Sequence, residues 1–152
     1  MIAAGEPTIH ASAVLVGAKA VLIRGPAGSG KSQLAWNLLM AGSQGALPFA
    51  RLVADDRVHV ESRSGRLLVR PPPALASIIE FHGLGVRRIE YEPLAAVGLV
   101  VDLAAEDAGR LPETKAAIAT IAGVTLPRLP VAAGMASLPL VLATLRALPA
   151  GD

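Results

Sequence analysis

Cysteine is absent from the 152-residue chain, which removes disulfides, thiolate metal sites and a cysteine nucleophile together and fits a reducing compartment. Aromatic residues are only 3% of the sequence. The core must therefore be built from Ala, Val, Leu and Ile, and the stacking platforms that single-stranded nucleic acid needs are scarce. Charge is sparse as well: 14 basic and 12 acidic residues leave a net charge of +2, with no Lys/Arg run to make a polyanion-binding stripe. Nucleic acid is not an expected partner. Long apolar runs are also missing. The longest uncharged stretch, residues 129–145, contains Pro130, Gly134 and Pro139 and falls short of the roughly 20 apolar residues that cross a bilayer. Glu6 and His10 precede any apolar run, so no secretory leader is expected. These absences predict a soluble cytoplasmic protein with no membrane partner.

What is present is apolar aliphatic residue: hydrophobic positions are 53% of the chain, enough for a packed globule and too many for disorder. The length fits one domain, residues 1–152. Residues 9–16 and 20–23 read as two short strands around the Gly17-Ala18-Lys19 turn. Residues 31–41 read as a helix, because Leu34 and Leu38 lie one turn apart and Ala35, Leu39 and Met40 widen the stripe; Gly42 is placed to stop it. Residues 51–54 form a short strand ending at Asp55-Asp56, and residues 57–61 and 66–69 form a hairpin across Ser62-Arg63-Ser64-Gly65. Pro71-Pro72-Pro73 is a stiff spacer. Residues 74–79 are expected to make a short helix, 96–103 a strand buried on both faces, 124–131 a proline-interrupted strand near an edge, and 136–147 a closing helix.

The strongest chemical signal is Gly25-Pro26-Ala27-Gly28-Ser29-Gly30-Lys31-Ser32. It satisfies every fixed position of the phosphate-loop pattern and lies between a strand and a helix. Glycines let backbone N–H groups turn inward around phosphate oxygens, and the helix N-terminus adds partial positive charge. In this pattern Lys31 reaches the β and γ phosphates and Ser32 places its hydroxyl on magnesium. No Asn-Lys-x-Asp sequence is present, which disfavours a GTPase. Asp55-Asp56 puts two carboxylates at the end of a strand expected beside the phosphate-loop strand, where one can accept a proton while its neighbour supports a metal or a basic group. A solvated turn is the bland alternative. Glu80 and His10 are uninformative taken singly.

Together these segments resemble the C-terminal catalytic domain of HPr kinase/phosphorylase. The resemblance runs in order through Ile9-His10-Ala11, the phosphate loop, Leu52-Val53-Ala54-Asp55-Asp56-Arg57-Val58 and Ile79-Glu80-Phe81-His82-Gly83-Leu84-Gly85, and fades beyond Val86. It implies an ATP-dependent protein kinase that phosphorylates a serine of the phosphocarrier HPr or a relative of it. It also implies that Lys31 contacts phosphate, that Ser32 and Glu80 assist Mg2+, and that the Asp55-Asp56 pair, helped by His10, accepts the proton. Which aspartate is the base stays open. The family's oligomers imply a homo-oligomer. Three departures stand out: Gln33 replaces an acidic residue, His82 replaces an arginine, and Ala133-Gly134-Met135-Ala136 replaces a Val-Gly-Arg-Asn pattern. The last removes an active-site arginine and counts against phosphorolysis. The fold expected is α/β or α+β, a phosphate-loop domain with a mixed sheet and few helices. Two alternatives remain at this stage: a nucleotide-binding regulatory module with weak catalysis that docks to a phosphotransferase or two-component partner, and a small-molecule kinase.

Overall fold

The structure, a computed structural model, describes residues 7–147; residues 1–6 and 148–152 lie outside the described residues. The elements run β1 (Thr8–Val16), β2 (Lys19–Arg24), α1 (Lys31–Ser43), β3 (Ala50–Ala54), β4 (Arg57–Arg63), β5 (Arg66–Arg70), β6 (Ile78–Phe81), β7 (Gly85–Arg88), β8 (Ala95–Leu103), β9 (Ile118–Ile121), β10 (Val124–Val131) and α2 (Ser137–Arg146). Among the described residues, ten strands and two α-helices make a sheet-dominated α/β domain, the class the sequence predicts.

The main sheet has eight strands in the order β2-β1-β4-β5-β8-β10-β9, with β3 paired to β1. A further pairing of β2 with β8 closes five of these strands into a ring. The β2–β8 and β8–β10 pairs are parallel and the others antiparallel, so the sheet is mixed. Alternation along β2 explains the two cores. Ala20 and Leu22 enter one buried cluster, whereas Val21 and Ile23 enter the other. Along β8, Val100 enters the first cluster, and Leu99 and Val101 enter the second. A strand covered on both faces needs the near-continuous apolar run predicted for it.

Helix α1 covers the second cluster through Leu34, Ala35, Leu38 and Ala41, positions i, i+1, i+4 and i+7 that lie on one helical face. The helix passes through Gly42 and ends at Ser43. Gly42 serves packing instead of stopping the helix: a Cβ there would lie 2.7 Å from Ala50 Cβ, where β3 begins.

Two expectations are corrected. Residues 74–79 are not a helix; a single 3-10 turn at Pro73–Leu75 gives way to β6, which pairs with β7 as a separate two-stranded hairpin. Period-2 burial of Ile79 and Phe81 decides this segment, with Ile79 fully buried and Phe81 edge-on to Trp36 at 5.1 Å. Strand β10 lies next to the outermost strand, β9, and so near the edge as its prolines predict. The prolines of β10 are tolerated because its first half pairs only with β9 and its second half only with β8, so each half keeps one open side. The second correction concerns β3, which does not adjoin β2, because β1 lies between them. Among the described residues no helix is long and apolar enough to cross a membrane.

Candidate active site

The segment 25–30 joins β2 to α1. Gly28 and Gly30 have φ of +79° and +102°, and an added Cβ at either meets nothing within 4 Å. The turn is thus open above these glycines and takes a backbone conformation that disfavours side chains. Gly25 also has a positive φ, +156°, and a Cβ there would be crowded by Ser29 Oγ at 2.5 Å and by Leu103 Cβ and carbonyl oxygen at 3.1 and 3.2 Å. Lys31 opens α1, is buried, and donates from Nζ to the carbonyls of Gly25 at 2.8 Å and Pro26 at 3.2 Å. Burial pulls its pKa below the ordinary lysine value, against the opposing pull of the Asp56 and Asp55 carboxylates.

The two aspartates have diverged. Asp55 is buried and accepts hydrogen bonds from Ser12 Oγ at 2.7 Å, from Ser32 Oγ at 2.8 and 2.9 Å, and from the Glu80 backbone N–H at 3.1 Å. Asp56 is exposed, and its Oδ1 lies 2.7 Å from Nε2 of His10. Its φ of +70° turns the chain sharply between the two carboxylates. This costs a non-glycine residue about 1 kcal/mol and is least unfavourable for Asp and Asn. Strand geometry explains the pairing. His10 and Ser12 are two apart on β1 and share a face, so His10 meets Asp56 while Ser12 meets Asp55 and also accepts the Asp56 N–H at 3.3 Å. The bland reading of Asp55-Asp56 as a solvated turn fails for Asp55.

The fold therefore brings Lys31, Ser32, Asp55, Asp56 and His10 together, and places the backbone of Glu80 against Asp55. The Glu80 side chain is exposed and has no hydrogen-bond or ion-pair partner among the described residues. His82 is exposed between β6 and β7. Among the described residues no group of three or more His, Cys, Asp or Glu forms a metal cage. The oxygen donors of Ser32, Asp55 and Glu80 nonetheless suit magnesium, which binds few protein oxygens and keeps its waters. Ser12 is the contributor sequence reasoning missed; its signal was a polar residue at a core position of an apolar strand.

A second charged group lies at the mouth of the turn. Arg24, the residue before Gly25, donates Nε and one terminal nitrogen to the two carboxylate oxygens of Asp102 at 2.7 and 2.8 Å. Arg128 also bonds Asp102 and continues to Asp107 and the Ala116 carbonyl. Burial works to raise the Asp102 pKa, but hydrogen bonds from Arg24 and Arg128 outweigh it and hold the carboxyl below its usual range. A carboxylate with a depressed folded-state pKa contributes stability above its unfolded value, near 3.9, and loses that contribution as pH falls through the folded value. We expect Asp102→Asn to lower unfolding free energy by about 2 kcal/mol at pH 7. In urea titrations the difference from the parent should persist to about pH 4 and shrink below it. A pH-independent difference would contradict the assignment.

Comparison with known proteins places these features in context. The model of the HPr Serine kinase C-terminal domain matches residues 2–146. An HPr kinase/phosphorylase of Clostridium tetani is 33% identical over 100 residues, covering 66% of this chain and 30% of that protein. One from Clostridium beijerinckii is 35% identical over 83 residues, covering 55% and 25%. The chain thus spans less than a third of the length of these curated relatives. The solved Hpr(Ser) kinase/phosphatase from Coxiella burnetii superposes with a TM-score of 0.71 at 23% identity, over 91% of this chain and 93% of that one, a likeness of fold.

Proposed function

The chain belongs to the HPr serine kinase C-terminal domain family, and from that premise we propose that it is an ATP-dependent kinase transferring a phosphoryl group to a serine of HPr or an HPr-like phosphocarrier. The observation that carries this reading is the division of the carboxylate pair: Asp55 is tied to Ser32 at the start of α1, while Asp56 faces solvent against His10. One acid is built into the phosphate side and the other is free to meet a protein substrate.

In this mechanism the backbone N–H groups of Ala27, Gly28 and Gly30 and the α1 N-terminus hold the phosphate tail. Lys31 exchanges the Gly25 and Pro26 carbonyls for phosphate oxygens. The orphaned hydroxyl of Ser29, buried without a partner, gains an acceptor in the same step. Ser32, Asp55 and Glu80 would hold magnesium, which neutralises charge on the β and γ phosphates when bound. Asp56 accepts the proton of the incoming serine hydroxyl as its oxygen bonds to the γ phosphorus, and the bond from that phosphorus to the departing diphosphate breaks. His10 orients the Asp56 carboxylate. Met135 brings no positive charge, so the forward direction is the one this site serves.

The test supplies magnesium and γ-labelled ATP with three acceptors: HPr, HPr with its acceptor serine changed to alanine, and a small-molecule metabolite mixture. Label on the serine of the first alone is expected. Label confined to a metabolite would contradict the protein-kinase reading.

A further inference from the structure

The sequence spaces its arginines apart, and the β4–β5 hairpin lines them up. Alternate residues of a strand share a face, and so do residues directly opposite across a strand pair. The register His59↔Arg70, Glu61↔Leu68 and Arg63↔Arg66 therefore puts Arg57, His59, Glu61 and Arg63 of β4 on one face with Arg66, Leu68 and Arg70 of β5. Val58, Leu67 and Val69 take the other face, in the first buried cluster. At the near end Arg57 stands opposite His10 of β1 and directly follows Asp56 in the chain. From there the face runs six residues to Arg63, about 20 Å at the usual strand rise.

Its charge is one-sided. Glu61 is the single carboxylate on it and is shared by Arg63 at 2.6 Å and Arg70 at 2.9 Å. His59 and Leu68 are buried in its middle. Arg57 at one end and Arg66 at the other are exposed and have no carboxylate partner among the described residues. Like charges directly opposite each other repel, as Arg63 and Arg66 do, and a sheet face that only meets water ordinarily mixes its signs.

We propose that this cationic ridge docks an acidic surface of the acceptor protein and so brings its serine onto Asp56. The inference rests on the kinase reading above and adds to it how the protein substrate is engaged. Position is the first argument: the ridge begins beside the carboxylate that faces solvent, so a protein whose serine reaches Asp56 lies over Arg57. A folded domain of about 100 residues, with a radius of gyration near 13 Å, covers both ends of the ridge at once. Chemistry is the second. Guanidinium groups pair with carboxylates in a two-bond fork, and a patch of one sign steers an oppositely charged partner and fixes its orientation. Nucleic acid fits less well, because the ridge offers no Phe, Tyr or Trp on which a base could stack.

Steady-state transfer to HPr at saturating magnesium-ATP tests this with the parent, Arg66→Glu, Arg66→Lys and the double variant Arg57→Glu/Arg66→Glu. Arg66→Glu should raise the KM for HPr ~5-fold and leave kcat and the KM for ATP within ~2-fold of the parent. The double variant should raise the KM for HPr ~30-fold, whereas Arg66→Lys, which keeps the charge, should stay within ~2-fold. Salt raised from about 50 to about 200 mM should increase the KM for HPr more in the parent than in the double variant. If the double variant keeps the KM for HPr within ~2-fold of the parent, the inference falls while the kinase reading stands. A fall in kcat of Arg66→Glu with KM unchanged overturns it as well, because the arginine would then act on chemistry or folding. So does loss, in the double variant, of binding to a fluorescent DNA duplex that the parent holds, with the KM for HPr unchanged. Absence of transfer to HPr by the parent, with ATP bound, overturns the kinase reading and this inference with it.

Discussion

Lys31→Ala is expected to reduce phosphoryl transfer to HPr by about 10³-fold or more, because it removes the one side-chain cation on the turn proposed to hold the phosphates. Lys31 opens the helix and donates to two carbonyls of its own turn, so in the free protein its charge is parked beside the site it would serve. Its pKa is lowered by burial against the opposing pull of two nearby carboxylates. Folding should tolerate the change. The Pro26 carbonyl left behind lies on an exposed residue where water replaces the lysine, and removing a buried charge relieves its desolvation. Thermal unfolding should therefore shift little while ATP titration shows weakened binding. A variant with near-parental transfer rates would show that the turn does not hold the donor.

Asp56→Asn should lower the rate of transfer by about 10² to 10⁴-fold while leaving ATP affinity within ~3-fold of the parent, the range that a single general base contributes. The amide keeps the size of the carboxylate and a hydrogen bond to His10 but cannot take the serine proton. Asp55→Asn should behave differently. Asp55 accepts from two serine hydroxyls and a backbone amide, so its replacement disturbs Ser32 and the Glu80 backbone, and the main loss should appear in magnesium-ATP binding. Single-turnover kinetics at saturating ATP separate the two effects. Reversal of the pattern, with Asp55→Asn binding normally but failing in chemistry, would exchange the roles given to the two acids.

Much of the fold was readable because local rules and tertiary structure agree. The 3.6-residue apolar period of α1 survives as the face packed on the sheet, and Ser64-Gly65 sits in a turn with φ of +53° and +78°, the backbone that a tight hairpin demands. The misread segments are those where partners distant in sequence decide. Residues 78–81 become a strand because β7 pairs with them and Trp36 receives Phe81. Nothing local announced that β7 itself, with Val86 and both arginines exposed, would be its partner. The placement of β3 against β1 likewise depends on pairing across the chain. The site was legible as residue types in order, yet the contrast between Asp55 and Asp56 was not. Adjacent carboxylates look alike until the positive φ at Asp56 and the register of His10 and Ser12 on β1 turn one inward and the other out.

Intact-mass spectrometry of HPr after incubation with magnesium-ATP and this protein, parent beside Asp56→Asn, tests the central claim most directly. The account predicts that the parent adds one phosphoryl group, mapped to a serine, and that the variant adds almost none in the same time despite binding the nucleotide. Unmodified HPr in both reactions, with ATP demonstrably bound, would contradict it.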